Sequence, residues 1–131
     1  GLKVTIKTVP FKQRISLSDE KKFDMVNTIW GADYADPSTF LDLYTSDSSF
    51  NNGSWKNTDY DNVMKAAKTT DVNDATKRYA DYAKAEKILQ EDAAVAPVYY
   101  QAKPSLLNTK VKGVVSNTVG APFDWKWAYK K

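Results

Sequence analysis

The sequence predicts an α/β fold, and three stretches carry that prediction. Residues 2–9, LKVTIKTV, alternate apolar with polar side chains, the pattern of a half-buried strand. Residues 71–92 place apolar side chains at three- and four-residue spacing among Lys and Glu, the pattern of an amphipathic helix. Residues 94–102, AVAPVYYQA, are rich in Val and Tyr and read as a strand, with Pro97 marking an edge position or a strand start. A chain of 131 residues is long enough for one domain with a core of its own.

Strand 2–9 sets Leu2, Val4 and Ile6 on one face and Lys3, Thr5 and Lys7 on the other, and Pro10 stops it. Residues 11–20 then read as a short helix with Phe11, Ile15 and Leu17 inward. Residues 23–30, FDMVNTIW, end in β-branched and aromatic groups and predict a second strand. Strand, helix and strand so close together predict a βαβ unit with parallel strands. Gly31 opens a loop. Asp36 before Pro37 is an N-cap followed by a favoured first helical residue, so a helix is expected over 37–45 with Phe40, Leu41 and Tyr44 on one face. Residues 46–58 form a polar loop with a turn at Asn52-Gly53. Asp59 is the expected cap of a helix over 60–68, and Asp71 or Asn73 of the helix that follows. That helix turns Ala75, Tyr79, Tyr82, Ala83 and Leu89 inward, with Ile88 alongside. Residues 106–115 predict a further short strand; the tail FDWKWAYKK is aromatic and basic and has no evident assignment. The chain starts without Met and directly in a strand pattern, so it is expected to be a piece of a longer protein.

Composition narrows the chemistry. With no Cys and no His, the chain has no disulfide framework, thiol nucleophile, Cys/His zinc site or imidazole base. No apolar run approaches the roughly 20 residues of a membrane helix. The net charge of +3 hides an uneven layout. Residues 23–64 carry one Lys against seven Asp and hold 8 of the 17 aromatics, whereas both flanks are basic. A nucleic-acid surface interleaves aromatics with Lys and Arg; here the aromatics accompany Asp, which argues against nucleic acid and suits a cationic ligand or a solvated acidic face.

The densest such stretch is IWGADYADPSTFLD, residues 29–42. Asp36 is accounted for as a helix cap, and Asp42 belongs on that helix's exposed face. Asp33 is not needed by the cap. It follows Trp30, Gly31 and Ala32, whose two small residues leave the backbone approachable. A carboxylate beside an indole can pair with an ammonium group while the ring adds a cation–π or packing contact. Trp30 taken alone is more often a core residue than a ligand contact, and Trp55, in the polar loop, either rims a pocket or packs beneath its own loop. Two other readings stay open: an acid/base pair of Asp33 and Asp36 in a small hydrolase, and a divalent-cation site of Asp33, Asp36 and Asp42, whose spacing lacks the alternation of a calcium loop.

The motif W-G-A-D-Y-x-D-P-x-x-F-L at 30–41 resembles a signature near the C-terminus of oligopeptide-binding proteins, the extracytoplasmic solute receptors of peptide ABC importers. The later NNGSW, YDNVMKAA and RYADYAKAEKILQEDAAVAPVYY stretches follow in the same order. The likeness runs from about Val9 to Tyr129 and is strongest over 23–101. It implies the C-terminal portion of a two-lobed type II periplasmic-binding-protein fold. Residues 1–100 would belong to one lobe and 101–131 to a segment returning toward the other. It further implies a non-catalytic protein without cofactor or metal, with an oligopeptide ligand and ABC permease and ATPase partners. The expected location is outside the cytoplasm, periplasmic or lipid-anchored at the cell surface. Asp33 matches the residue that binds the peptide's α-amino group; Ile29, Trp30, Gly31 and Ala32 would run beside the peptide main chain, Trp30 would wall a side-chain pocket, and Tyr34 and Trp55 join the candidates. Some relatives carry Arg where this chain has Asn27, so the grip on the peptide carboxylate is expected to differ. Dipeptide, nickel-chelate and sugar receptors share the fold and are alternative assignments. The isolated piece is expected to expose apolar surface and to self-associate.

Overall fold

The computed structural model describes all residues, Gly1–Lys131. It contains four helices and a ribbon of four very short strands. Helix α1 spans Phe11–Asp19. Helix α2, Ser38–Leu41, runs on into a single 3-10 turn, Asp42–Tyr44. Helices α3, Thr58–Lys68, and α4, Ala75–Glu91, pack on each other and form the centre of the fold. Strands β1 (Val111–Lys112), β2 (Val115–Ser116), β3 (Phe123–Asp124) and β4 (Tyr129–Lys130) follow.

The core is the seam between α3 and α4. Tyr60, Val63, Met64 and Ala67 of α3 recur at helical spacing and are buried. Tyr82, Ala85 and Leu89 of α4 do the same, and Leu41 of α2 closes the cluster. Ala67 and Ala85, each fully buried, permit close approach of the two helices. The Tyr60 hydroxyl satisfies its buried donor by bonding the Leu41 carbonyl at 2.6 Å, which ties α2 to α3. Burial, with Asp42 nearby, pushes the Tyr60 phenol strongly up, so it stays a donor.

Helices α3 and α4 begin where short polar side chains take orphan N–H groups, one to three residues away from the expected caps. Asn57, not Asp59, caps α3, its side-chain oxygen accepting from Asp59 and Tyr60 N–H at 3.0 and 3.1 Å. Asp74, rather than Asp71 or Asn73, caps α4 by accepting from Lys77 N–H at 3.1 Å. The period of α4 is the expected one, but the buried face is Tyr82, Ala85 and Leu89. Tyr79 is 53% exposed and rests edge-on against Tyr82.

The expected βαβ unit does not form within these residues. Residues 2–9 and 23–30 are in no ladder, and Leu2 and Ile6 stand 92% and 86% exposed. An alternating pattern prepares one face of a strand, but the ladder needs a neighbouring backbone, and none lies alongside. The same holds for 94–102, where Val98 and Tyr100 are exposed. In α1, Phe11 and Ile15 are exposed, so the expected inward face is not covered by the rest of the chain.

The tail, unassigned from sequence, doubles back as an antiparallel ribbon. Val111 and Lys112 face Lys130 and Tyr129, and Val115 and Ser116 face Asp124 and Phe123. Gly113 sits between the two ladders at φ +73°, where an added Cβ would lie 2.0 Å from the Trp127 carbonyl oxygen, so glycine is required there.

Candidate functional site

The stretch 29–37 is held by α2 and α4. Asp36 Oδ1 accepts from the Ser38 N–H at 3.0 Å and from Ser38 Oγ at 2.7 Å, and its Oδ2 pairs with the Arg78 guanidinium of α4. Burial pushes the Asp36 carboxyl up, but the Ser38 and Arg78 bonds outweigh it and hold the group below its ordinary range. Asp36 therefore does more than start α2: it staples the loop to α4. Tyr34 Oη and Ser38 Oγ share a hydrogen bond at 3.1 Å. The Asp33 N–H donates to Thr39 Oγ1, from buried Thr39 of α2, at 3.0 Å.

Over this framework lies an open cleft of about 360 Å³. Trp30, Asp33 and Tyr34 line it, facing α2 and the 45–50 loop. Trp30 meets Phe50 of that loop edge to face, with centroids 4.9 Å apart. Asp42 and Asp47 add carboxylates, of which Asp42 is paired with Lys68 at 2.5 Å. No Lys or Arg lines the cleft. The Asp33 carboxylate makes no hydrogen bond or ion pair in the chain. Just before it, the backbone N–H and C=O groups of Ile29, Trp30 and Gly31 have no backbone partner. The arrangement is a run of free main-chain donors and acceptors that ends at a free carboxylate beside two rings.

The structure thus brings Trp30, Asp33 and Tyr34 into one cleft, with Ile29, Gly31 and Ala32 as its approach. Trp55 stands elsewhere: it packs edge-on to Tyr60 at 5.0 Å, against the core, and its Nε1 donates to Asp92 at 3.1 Å. Phe50 and Thr39 were not anticipated. The one signal for Phe50 was a large aromatic isolated in the polar run SDSSFNNGS. Asp36 is committed to Arg78 and Ser38, so it is not free to act as a pair with Asp33. No group of three or more acidic side chains is gathered closely enough to hold a metal ion. No helix is long and apolar enough to cross a membrane.

No family profile matches the chain, but individual proteins do. It is 44% identical over 132 residues to the dipeptide-binding protein of Lactococcus lactis subsp. cremoris, a match to 100% of this chain and 24% of that protein. It is 39% identical over 113 residues to the probable deoxycholate-binding periplasmic protein YgiS of Escherichia coli, covering 86% of this chain and 21% of the relative. The crystal structure of the substrate-binding domain of an oligopeptide ABC transporter from Bacillus anthracis superposes with a TM-score of 0.81 at 38% identity, over 95% of this chain and 24% of that one. The fold is accordingly that of a part of a type II periplasmic-binding protein. The chain belongs to the dipeptide- and oligopeptide-binding proteins of solute-binding family 5, and spans about a quarter of the length of the relatives it matches.

Proposed function

We propose that this chain supplies part of the ligand site of an extracytoplasmic receptor that delivers peptides to an ABC importer, without catalysis. The observation that carries the reading is the adjacency of unpaired main chain at Ile29–Gly31 to the uncommitted Asp33 carboxylate under the Trp30–Phe50 wall. Main-chain pairing is indifferent to peptide sequence, and the carboxylate gives direction by taking the amino terminus. A lining with carboxylates and no Lys or Arg favours a guest that presents an ammonium over a bile-acid anion, the kind of ligand named for YgiS.

On the same reading, segments 2–9 and 94–102, expected as strands and largely exposed, find their partner strands in the part of the receptor that lies outside these residues. Residues 1–100 belong to one lobe, and residues 101–131 return toward the other. ABC permease and ATPase subunits are the partners, and periplasmic or lipid-anchored display is the setting. By itself the chain exposes enough apolar surface to self-associate.

The test is Asp33→Asn in the receptor that carries this chain. Removing one partner of a desolvated charged pair is expected to weaken peptide binding by about 2–5 kcal/mol in calorimetry. Unchanged affinity removes Asp33 from the site.

A further inference from the structure

The peptide group joining Ala32 to Asp33 is held from two directions. Its N–H donates to Thr39 Oγ1 at 3.0 Å. Its carbonyl accepts from the Gly120 N–H at 3.3 Å. The first anchor is local, from the helix that follows. The second comes from the tip of the β2–β3 hairpin, distant in sequence and not itself part of the cleft lining.

That tip is built to present one N–H. Asn117 closes it twice: its backbone N–H donates to the Pro122 carbonyl at 3.0 Å, and its Nδ2 donates to the Ala121 carbonyl at 3.1 Å. Gly120 sits at φ +75°, a conformation that glycine adopts freely and β-branched residues resist. A Cβ there would lie 3.7 Å from the Asp33 carbonyl oxygen, an ordinary contact. Backbone conformation, rather than space, is what calls for glycine.

We propose that the hairpin tip, residues 117–122, positions the ligand anchor, with Gly120 as the positioning residue. By fixing the plane of the 32–33 peptide group, it fixes where the Asp33 carboxylate stands relative to the free main chain of Ile29–Gly31. The ladder a guest can form ends at the Ala32 N–H, because the Ala32 carbonyl is taken by Gly120 and the next N–H, that of Asp33, by Thr39. The amino terminus of the guest is then delivered to the side chain of Asp33. This inference rests on the reading of Asp33 as the ammonium anchor.

The experiment separates the two. The tightest-binding member of a tri- to hexa-alanine series and its N-acetylated form are titrated calorimetrically into the receptor that carries this chain. The wild type is expected to prefer the free amine by about thirtyfold or more. In Gly120→Val that preference falls by about tenfold, while affinity for the acetylated peptide and the thermal midpoint stay near wild type. Gly120→Asn tolerates the left-handed conformation, keeps the N–H, and preserves the preference. Asn117→Ala loosens the tip without touching Gly120 and lowers the preference several-fold; it decides the matter should Gly120→Val not fold. An unchanged preference in both lowering variants overturns the positioning role while leaving the anchor intact, as does equal weakening of both peptides. A wild-type preference near unity that Asp33→Asn does not alter overturns the anchor reading, and the positioning role with it.

Discussion

Arg78→Met tests the staple that joins the site loop to the helical core. In the Asp36–Arg78 pair the side chains are 14% and 26% exposed. Breaking a fully buried pair costs about 3–5 kcal/mol, and breaking an exposed one about 0–1. This pair lies nearer the buried limit, but Asp36 keeps both bonds from Ser38 when the guanidinium is removed. A loss of about 2 kcal/mol at neutral pH is expected, read as a urea midpoint shift at unchanged slope. Part of that is the cation–π contact of Arg78 over Tyr82, 5.3 Å from the ring centroid, worth about 0.5–1 kcal/mol. A cycle with Asp36→Asn removes that contribution and should leave a coupling of about 1–1.5 kcal/mol. The pH dependence has a definite sign. The Asp36 carboxyl is held below its ordinary 3.8, so its stabilisation is full above that value and is lost as pH falls through the folded-state pKa. The gap between wild type and Arg78→Met should therefore narrow in strong acid. A coupling near zero, or a gap that widens on acidification, refutes the reasoning.

The remaining predictions concern the joints of the helical core. Tyr60→Phe strands the Leu41 carbonyl in the interior and should cost about 1–3 kcal/mol in urea unfolding. Asn57→Ala removes the α3 cap and should cost about 1 kcal/mol, with Asn57→Ser recovering most of it.

What was legible in the sequence was whatever local physics decides. Helical periodicity over 71–92 located α4, and Asp36-Pro37 located the start of α2, because caps and amphipathic stripes act within a few residues. The choice between Asn57 and Asp59, or between Tyr79 and Ala85 as the inward residue, turns on the contact between α3 and α4, which no local pattern contains. The strands failed differently. Residues 2–9 have the right alternation, but pairing depends on a neighbour, and these residues do not supply one. In the site, Trp30, Asp33 and Tyr34 could be read from their motif, and the structure gathers them in one cleft. Phe50 and Gly120 reach that region only through long-range packing and a hairpin, and Trp55 is claimed by Tyr60 and Asp92.

The proposed role of Asp33 and the main chain before it is most directly tested by a high-resolution structure of the peptide-occupied receptor that carries this chain. The account predicts the guest's ammonium within hydrogen-bond reach of the Asp33 carboxylate, at about 2.7–2.9 Å, and its backbone paired with Ile29–Gly31. A guest bound elsewhere, or one whose amino terminus lies far from Asp33 while Ile29–Gly31 stay unpaired, would contradict it.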